Sequence, residues 1–285
     1  LNRCEPYQRA ADYWRKKASS LPPAPELPRL KVAAPIRFER WEHRLPKAAW
    51  SRAKEAAAAD SVSPSALLLA VYAEVLGFWS ASLRFTLNVT VFNRLPLHPQ
   101  VEQVAGDFTS MVLLEVDRTQ PETVRRRAMQ LQRQLWSDLE HRSFNGVEIL
   151  RELSAKAGGA GRALMPYVFT SSLNNRGYRA LEKLGKVTYT VTQTPQVLID
   201  QQVFEENGEL VLSWDCVEKA FPTDMARAMF EKSCTLITGL CDDFQGTRIE
   251  QRLPAPQSDA AEARLLHEVF SERAETQPDD IAIEC

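Results

Sequence analysis

The chain has 285 residues, 44% of them hydrophobic and 25% charged, the balance of a soluble globular protein long enough to bury a real core. Its formal charge of -2 gives no electrostatic case for nucleic acid or an anionic membrane as partner. Five cysteines (Cys4, Cys216, Cys234, Cys241, Cys285), scattered without C-x-x-C spacing, argue against a disulfide framework and a zinc site, and for a reducing, cytoplasmic setting.

Taken in order, the pattern predicts alternating helices and strands. Residues 6–19 carry Tyr7, Ala10, Ala11 and Trp14 on one helical stripe. The four prolines of "LPPAPELPRL" (21–30) make an extended connector. "IRFERWEHRL" (36–45) alternates as a strand, and 47–59 is a helix. Ser63 and Pro64 then supply a cap and a first helical residue for "SPSALLLAVYAEVLGFW", which is apolar nearly all round and therefore buried. Strands are expected at 83–94 and 107–117, helices near 121–139 and 145–156, and a short strand at 165–173. Further strands are expected near 186–193, 196–205 and 209–215, with "ENG" (206–208) turning the last hairpin, before a helix near 223–245. "RLPAPQSDA" (252–260) has linker composition, and an amphipathic helix opens a new unit after it. Beginning at Leu1 and stopping in mid-pattern at Cys285, the sequence reads as a piece of a longer chain.

No apolar run reaches transmembrane length, and no phosphate-loop, nucleophile-elbow or H-E-x-x-H pattern occurs. "GGAG" (158–161) follows a helix rather than a strand and reads as a flexible loop. The four histidines lie far apart and read as surface or core residues, and "RRR" (125–127) as a solvated helix face. "TQTPQVLIDQQ" (192–202) is harder to dismiss. Strand alternation puts Asp200 and Gln202 on one side with Gln196 and Leu198, while Pro195 restricts where a ladder can begin. Thr170 and Ser171 end one strand in "MPYVFTSSL", Asp107 and Thr109 head another, and "LSWD" carries Asp215. Singly each reads as a turn or cap; together, hydroxyls, amides and carboxylates at strand ends suit a reaction cleft.

Their order resembles the later motifs of the heterocyclization domains of nonribosomal peptide synthetases, relatives of condensation domains. "LPPAPELPRL", the long apolar helix, "GDFTSMVLLEV", "YVFTSSL", "TQTPQVLIDQQ" and "SWD" follow one another as in that family. The resemblance implies an α/β fold, a chloramphenicol-acetyltransferase-like lobe with a mixed β-sheet covered by helices. The D-x-x-x-x-D-x-x-S motif of the family's first lobe has no match, and neither has the H-H-x-x-x-D-G of ordinary condensation domains. The chain thus resembles a C-terminal lobe (1–251), a linker (252–264) and the start of an adenylation domain (265–285). By the same resemblance the whole enzyme joins a carrier-bound acyl group to carrier-bound Cys, Ser or Thr, then cyclodehydrates the amide to a thiazoline or oxazoline, as in siderophore synthetases of the pyochelin type. It implies no metal and no cofactor bound by this domain, the phosphopantetheine arms belonging to partner carriers. Its partners would be upstream and downstream peptidyl carrier domains, an N-terminal lobe and the adenylation domain. The family's catalytic threonine and aspartate match Thr170 and Asp200, and Asn88, Gln193, Ser171 and Asp215 are the candidate substrate-positioning groups. Two other readings stay open: an ordinary condensation lobe that leaves the amide uncyclised, and a non-catalytic scaffold or docking lobe.

Overall fold

A computed structural model describes residues 4–32, 35–96, 98–156, 164–173, 185, 189 and 191–247. All of them fall in one compact unit, Leu1–Gln251. The tail assigned above to a linker and an adenylation domain lies outside the described residues, as does the "GGAG" loop.

The elements run α1 (Glu5–Ala18), β1 (Phe38–Leu45), α2 (Lys47–Ala59), α3 (Pro64–Trp79), β2 (Arg84–Phe92), β3 (Thr109–Asp117), α4 (Val124–Glu140) and α5 (Gly146–Lys156). They continue with β4 (Tyr167–Ser171), β5 (Ile199–Glu206), β6 (Glu209–Val217) and α6 (Met225–Asp242). Six strands form one sheet in the order β1-β6-β5-β4-β2-β3. Strand β4 is parallel to both its neighbours, β2 and β5, and the other pairs are antiparallel. The result is the expected mixed α/β lobe.

Local chemistry accounts for the boundaries. Ser63 Oγ accepts the Ala66 N–H at 3.2 Å and Pro64 opens α3, as a cap and first-turn proline should. Asn207 (φ 52°) and Gly208 (φ 85°) turn the β5–β6 hairpin, both residues being types that tolerate the left-handed region. The strand expected near 186–193 is largely outside the described residues, and 191–193 join no strand.

Alternation gives the sheet two unlike faces. Phe85, Leu87, Tyr167, Phe169, Ile199, Val203, Leu212 and Trp214 point into the main core, beneath α2, α3 and α6. Trp214 stacks edge-on against Tyr72 of α3 (5.7 Å) and Phe230 of α6 (5.9 Å), and its indole N–H donates to Gln201 Oε1 at 2.7 Å. A smaller cluster joins Ala10, Ala11 and Trp14 of α1 to Leu113, Phe144 and Ile149 beside β3. Among the described residues no single helix is long and apolar enough to cross a membrane.

One charge interrupts α3. Glu74, 3% exposed, takes Arg118 Nη2 at 2.9 Å and Arg127 Nε at 2.8 Å on its two oxygens. A Cβ at Gly77 would lie 2.3 Å from Arg118 Cδ, so only glycine one turn on leaves room for that arginine. Arg127 therefore corrects the reading of "RRR" as a solvated face. Arg127 is buried on Glu74 and Arg125 is paired with Asp60, while Arg126 is exposed. The helix turns its three arginines in three directions because successive residues are about 100° apart. Removing the shared anion strands two buried cations, so Glu74→Ala should cost about 3–5 kcal/mol of stability. A shift in the urea midpoint measures it, and a loss under about 1 kcal/mol, the level of an exposed pair, would show that the arginines find other partners.

Candidate active site

The T-P-Q stretch makes the site possible by aiming β5. Pro195 sets a turn whose third residue, Gln196, has φ 69°, and Val197 N–H closes it on Thr194 O at 3.2 Å. Proline second and a positive φ third are the requirements of a type II turn, one that glycine would fill more cheaply than glutamine. The ladder then starts at Ile199, three residues later than expected, because the turn consumes 194–197. That phase buries Ile199 and Gln201 against the helices and sets Asp200 and Gln202 on the other face.

On that face a polar row crosses the sheet from β2 to β1. Thr170 Oγ1 of β4 lies 3.2 Å from Asp200 Oδ1 of β5 and 3.0 Å from Thr90 Oγ1 of β2. A hydroxyl can accept one hydrogen bond and donate another, so the two threonines can lead a proton toward or away from Asp200. Gln202 Nε2 donates to Asp200 Oδ2 at 2.9 Å and reaches Asp215 Oδ2 at 3.3 Å and Thr192 Oγ1. Asp215, fully buried on β6, accepts the Thr192 backbone N–H at 2.6 Å and pairs with Arg40 Nε of β1 at 3.1 Å. Arg40 Nη2 donates in turn to Gln202 Oε1 and Ser213 Oγ, both at 2.9 Å.

Both carboxyl groups are pushed above the usual carboxylate range. For Asp200, 5% exposed, burial is the largest cause; the donors Gln202 and Thr170 oppose it, and the neighbouring Asp215 adds to it. Burial also raises Asp215, against the Thr192 N–H and the Arg40 charge. A buried carboxyl with a raised pKa, beside a hydroxyl chain, keeps its proton to higher pH than an exposed one and has a route by which to give it up. No group of His, Cys, Asp or Glu among the described residues is arranged to hold a metal ion.

The structure brings together Thr170, Asp200 and Asp215, and places Asn88 on the same face one register step from Thr90. Asn88 is 7% exposed, and its Oδ1 meets no hydrogen-bond donor among the described residues. Ser171 does not join them: one residue beyond Thr170 it faces the helices, 2.7 Å from Ser65 Oγ of α3. Gln193 is exposed, outside the row. Asp107 stays local too, accepting the Thr109 N–H at 2.8 Å at the head of β3. Asp215 lies in mid-strand, opposite Arg40 on one neighbouring strand and Asp200 on the other. The sequence reading missed Arg40, Thr90, Thr192 and the central position of Gln202. Only Gln202 carried a signal, through its shared parity with Asp200.

Asp200's raised pKa makes its charge a burden on folding. The protonated group's contribution is complete below the unfolded value, about 4, and is lost as pH rises through the folded value. Asp200→Asn should therefore gain stability relative to the native protein as pH increases from about 4 to about 8. Parallel urea midpoints for the two proteins would test this, and a difference that stays flat with pH would show Asp200 unperturbed.

The Condensation domain family matches residues 3–260. Pyochelin synthetase PchF of Pseudomonas aeruginosa is 38% identical over 97% of this chain and 16% of its own length. Phenyloxazoline synthase MbtB of Mycobacterium tuberculosis is 34% identical over 95% of this chain and 20% of its own. The EpoB cyclization-docking bidomain of Sorangium cellulosum superposes with a TM-score of 0.76 and 42% identity, covering 85% of this chain and 50% of that one. The chain thus spans about half of that bidomain and a fifth or less of the two synthetases. The chain belongs to the Condensation domain family.

Proposed function

We propose that this lobe serves an enzyme which condenses a carrier-bound acyl donor with carrier-bound Cys, Ser or Thr and then closes the ring, with Asp200 and Thr170 acting in the second step. The observation that carries this reading is the Thr170–Asp200 hydrogen bond, 3.2 Å across the parallel β4–β5 pair. The names of a phenyloxazoline synthase and a cyclization bidomain among its relatives support it from outside.

In condensation the acceptor amine attacks the donor thioester, forming an amide and freeing the donor arm's thiol. That step depends mainly on proximity of two tethered substrates. In cyclisation the side-chain thiol or hydroxyl adds to the new amide carbonyl and leaves a hemiaminal, whose hydroxyl is a poor leaving group. Asp200 in its acid form protonates that hydroxyl, water departs as the C=N bond forms, and the nitrogen's proton returns to the carboxylate, directly or through Thr170. Protons balance, and Asp200 ends as it began. The phosphopantetheine arms belong to the carrier partners, and no cofactor of this lobe's own enters the scheme. The companion N-terminal lobe supplies the other wall of the site, and an adenylation domain loads the acceptor carrier.

Loss of a general acid typically costs ~10²–10⁴ in rate, or about 3–5 kcal/mol of barrier. In the complete enzyme, Asp200→Asn or Thr170→Val should accumulate the uncyclised amide, seen by mass spectrometry as a product heavier by one water. Normal ring formation in Asp200→Asn with loss in Asp215→Asn would move the acid to β6. Asn88, with a buried carbonyl oxygen free to accept, is assigned to hold a substrate N–H or hydroxyl. Asn88→Ala should lower turnover about tenfold, the worth of one good hydrogen bond, whereas Gln193→Ala, at an exposed position, should have less effect. Equal turnover for Asn88→Ala and the native enzyme would remove Asn88 from the site.

A further inference from the structure

Arg40, Asp215 and Asp200 are direct cross-strand neighbours on β1, β6 and β5. Cation, carboxylate and carboxyl therefore stand in line on one face of the sheet. Neighbouring strands are about 4.7–4.9 Å apart, so the two acids cannot both ionise there without cost. Their surroundings differ in kind. Asp215 has a guanidinium 3.1 Å from Oδ1 and a backbone N–H 2.6 Å from Oδ2. The donors to Asp200 among the described residues are Thr170 and Gln202, both neutral. Arg40 also acts on Gln202. A guanidinium can only donate, so the amide edge it meets must be Oε1, and Nε2 is thereby turned toward the carboxyl groups.

We propose that Arg40 is a positioning residue that keeps Asp215 ionised and aims the Gln202 amide, so that Asp200 is the carboxyl that holds the proton. This rests on the reading of Asp200 as the acid of ring closure. Among the described residues, three further ionisable groups, on the core side of the sheet, do not compete. Tyr72 of α3, Tyr167 of β4 and Cys216 of β6 are kept neutral by burial, the tyrosine of β4 and the cysteine both at about 12 and Tyr72 well above its ordinary value. With its side chain 7% exposed, the Arg40 charge is shielded little by solvent.

The test is the fraction of cyclised product against pH in the complete enzyme, whose alkaline limb marks loss of the Asp200 proton. Asp215→Asn leaves the Arg40 cation without its anion and should move that limb down by about one to three pH units. Arg40→Met leaves the anion without its cation and should move it up by a similar amount. The double variant removes both charges and should return the limb to near its native position. A mere packing role for Arg40 predicts no such pair of opposite shifts. Limbs that stay put, or that move the same way in both single variants, would overturn the assignment. Should a single variant fail to fold, Arg40→Lys and the double variant carry the test. Lysine keeps the charge, so both should hold the native limb, and a displaced limb in either rejects the proposal. Loss of ring closure in Asp200→Asn without these shifts would sink the role of Arg40 alone. Ring closure surviving in Asp200→Asn would sink the reading beneath it.

Discussion

Two acids stand side by side on adjacent strands in a nearly dry setting, and the polar face of the sheet is arranged around that constraint. A buried carboxyl must be paired, hydrogen-bonded or protonated, because desolvation of the charged form is expensive. Asp215 meets the demand by pairing with Arg40. Asp200 meets it with a threonine hydroxyl and a glutamine amide, and burial raises the pKa of both acids. Gln202 stitches the two together by facing its oxygen to the cation and its nitrogen to the acids. The same physics that makes these groups costly to bury makes them useful for moving a proton.

Such a row could not stand on a soft sheet. Its rigidity comes from the opposite face, where large apolar side chains of β2, β4, β5 and β6 pack under α2, α3 and α6. Trp214 ties the faces together: its neighbours in sequence, Ser213 and Asp215, belong to the polar row, while its ring fills the core between Tyr72 and Phe230. Truncating a buried tryptophan typically costs about 3–5 kcal/mol, so the aromatic core and the site share one strand and one fate. Insertion of β4 in parallel between β2 and β5 has a chemical consequence as well. It sets Thr170 between Thr90 and Asp200, so that the two hydroxyls run in sequence toward that carboxyl.

Much of this was legible in the residues alone. The Ser63–Pro64 start of α3, the Asn207–Gly208 turn and the alternation that puts Asp200 and Gln202 on one face are decided by atoms a few residues apart. Local sterics and capping need no knowledge of the rest of the fold, so the sequence by itself determined the elements and their order, while the choice of Thr170 and Asp200 as candidates came from the resemblance of their motifs to those of a known family. Its errors were ones of direction. Ser171 looked equivalent to Thr170, yet one step along a strand reverses the face. Arg127 looked solvated because a run of arginines does not reveal that a glutamate 53 positions earlier will meet it.

Tertiary structure alone decided what Arg40 does. In "IRFERWEHRL" it is one charge among several in an ordinary alternating strand, and its partner Ser213 is 173 residues away. Which strand lies beside β6, and in which register, follows from packing the whole sheet against its helices, since a shift of one residue would turn Arg40 away from Asp215. The face on which Asp200 lies could be read from its own motif because parity along a strand is local. The cation that completes the row could not, because charge pairing across strands acts through space, over contacts that exist only after the chain has folded.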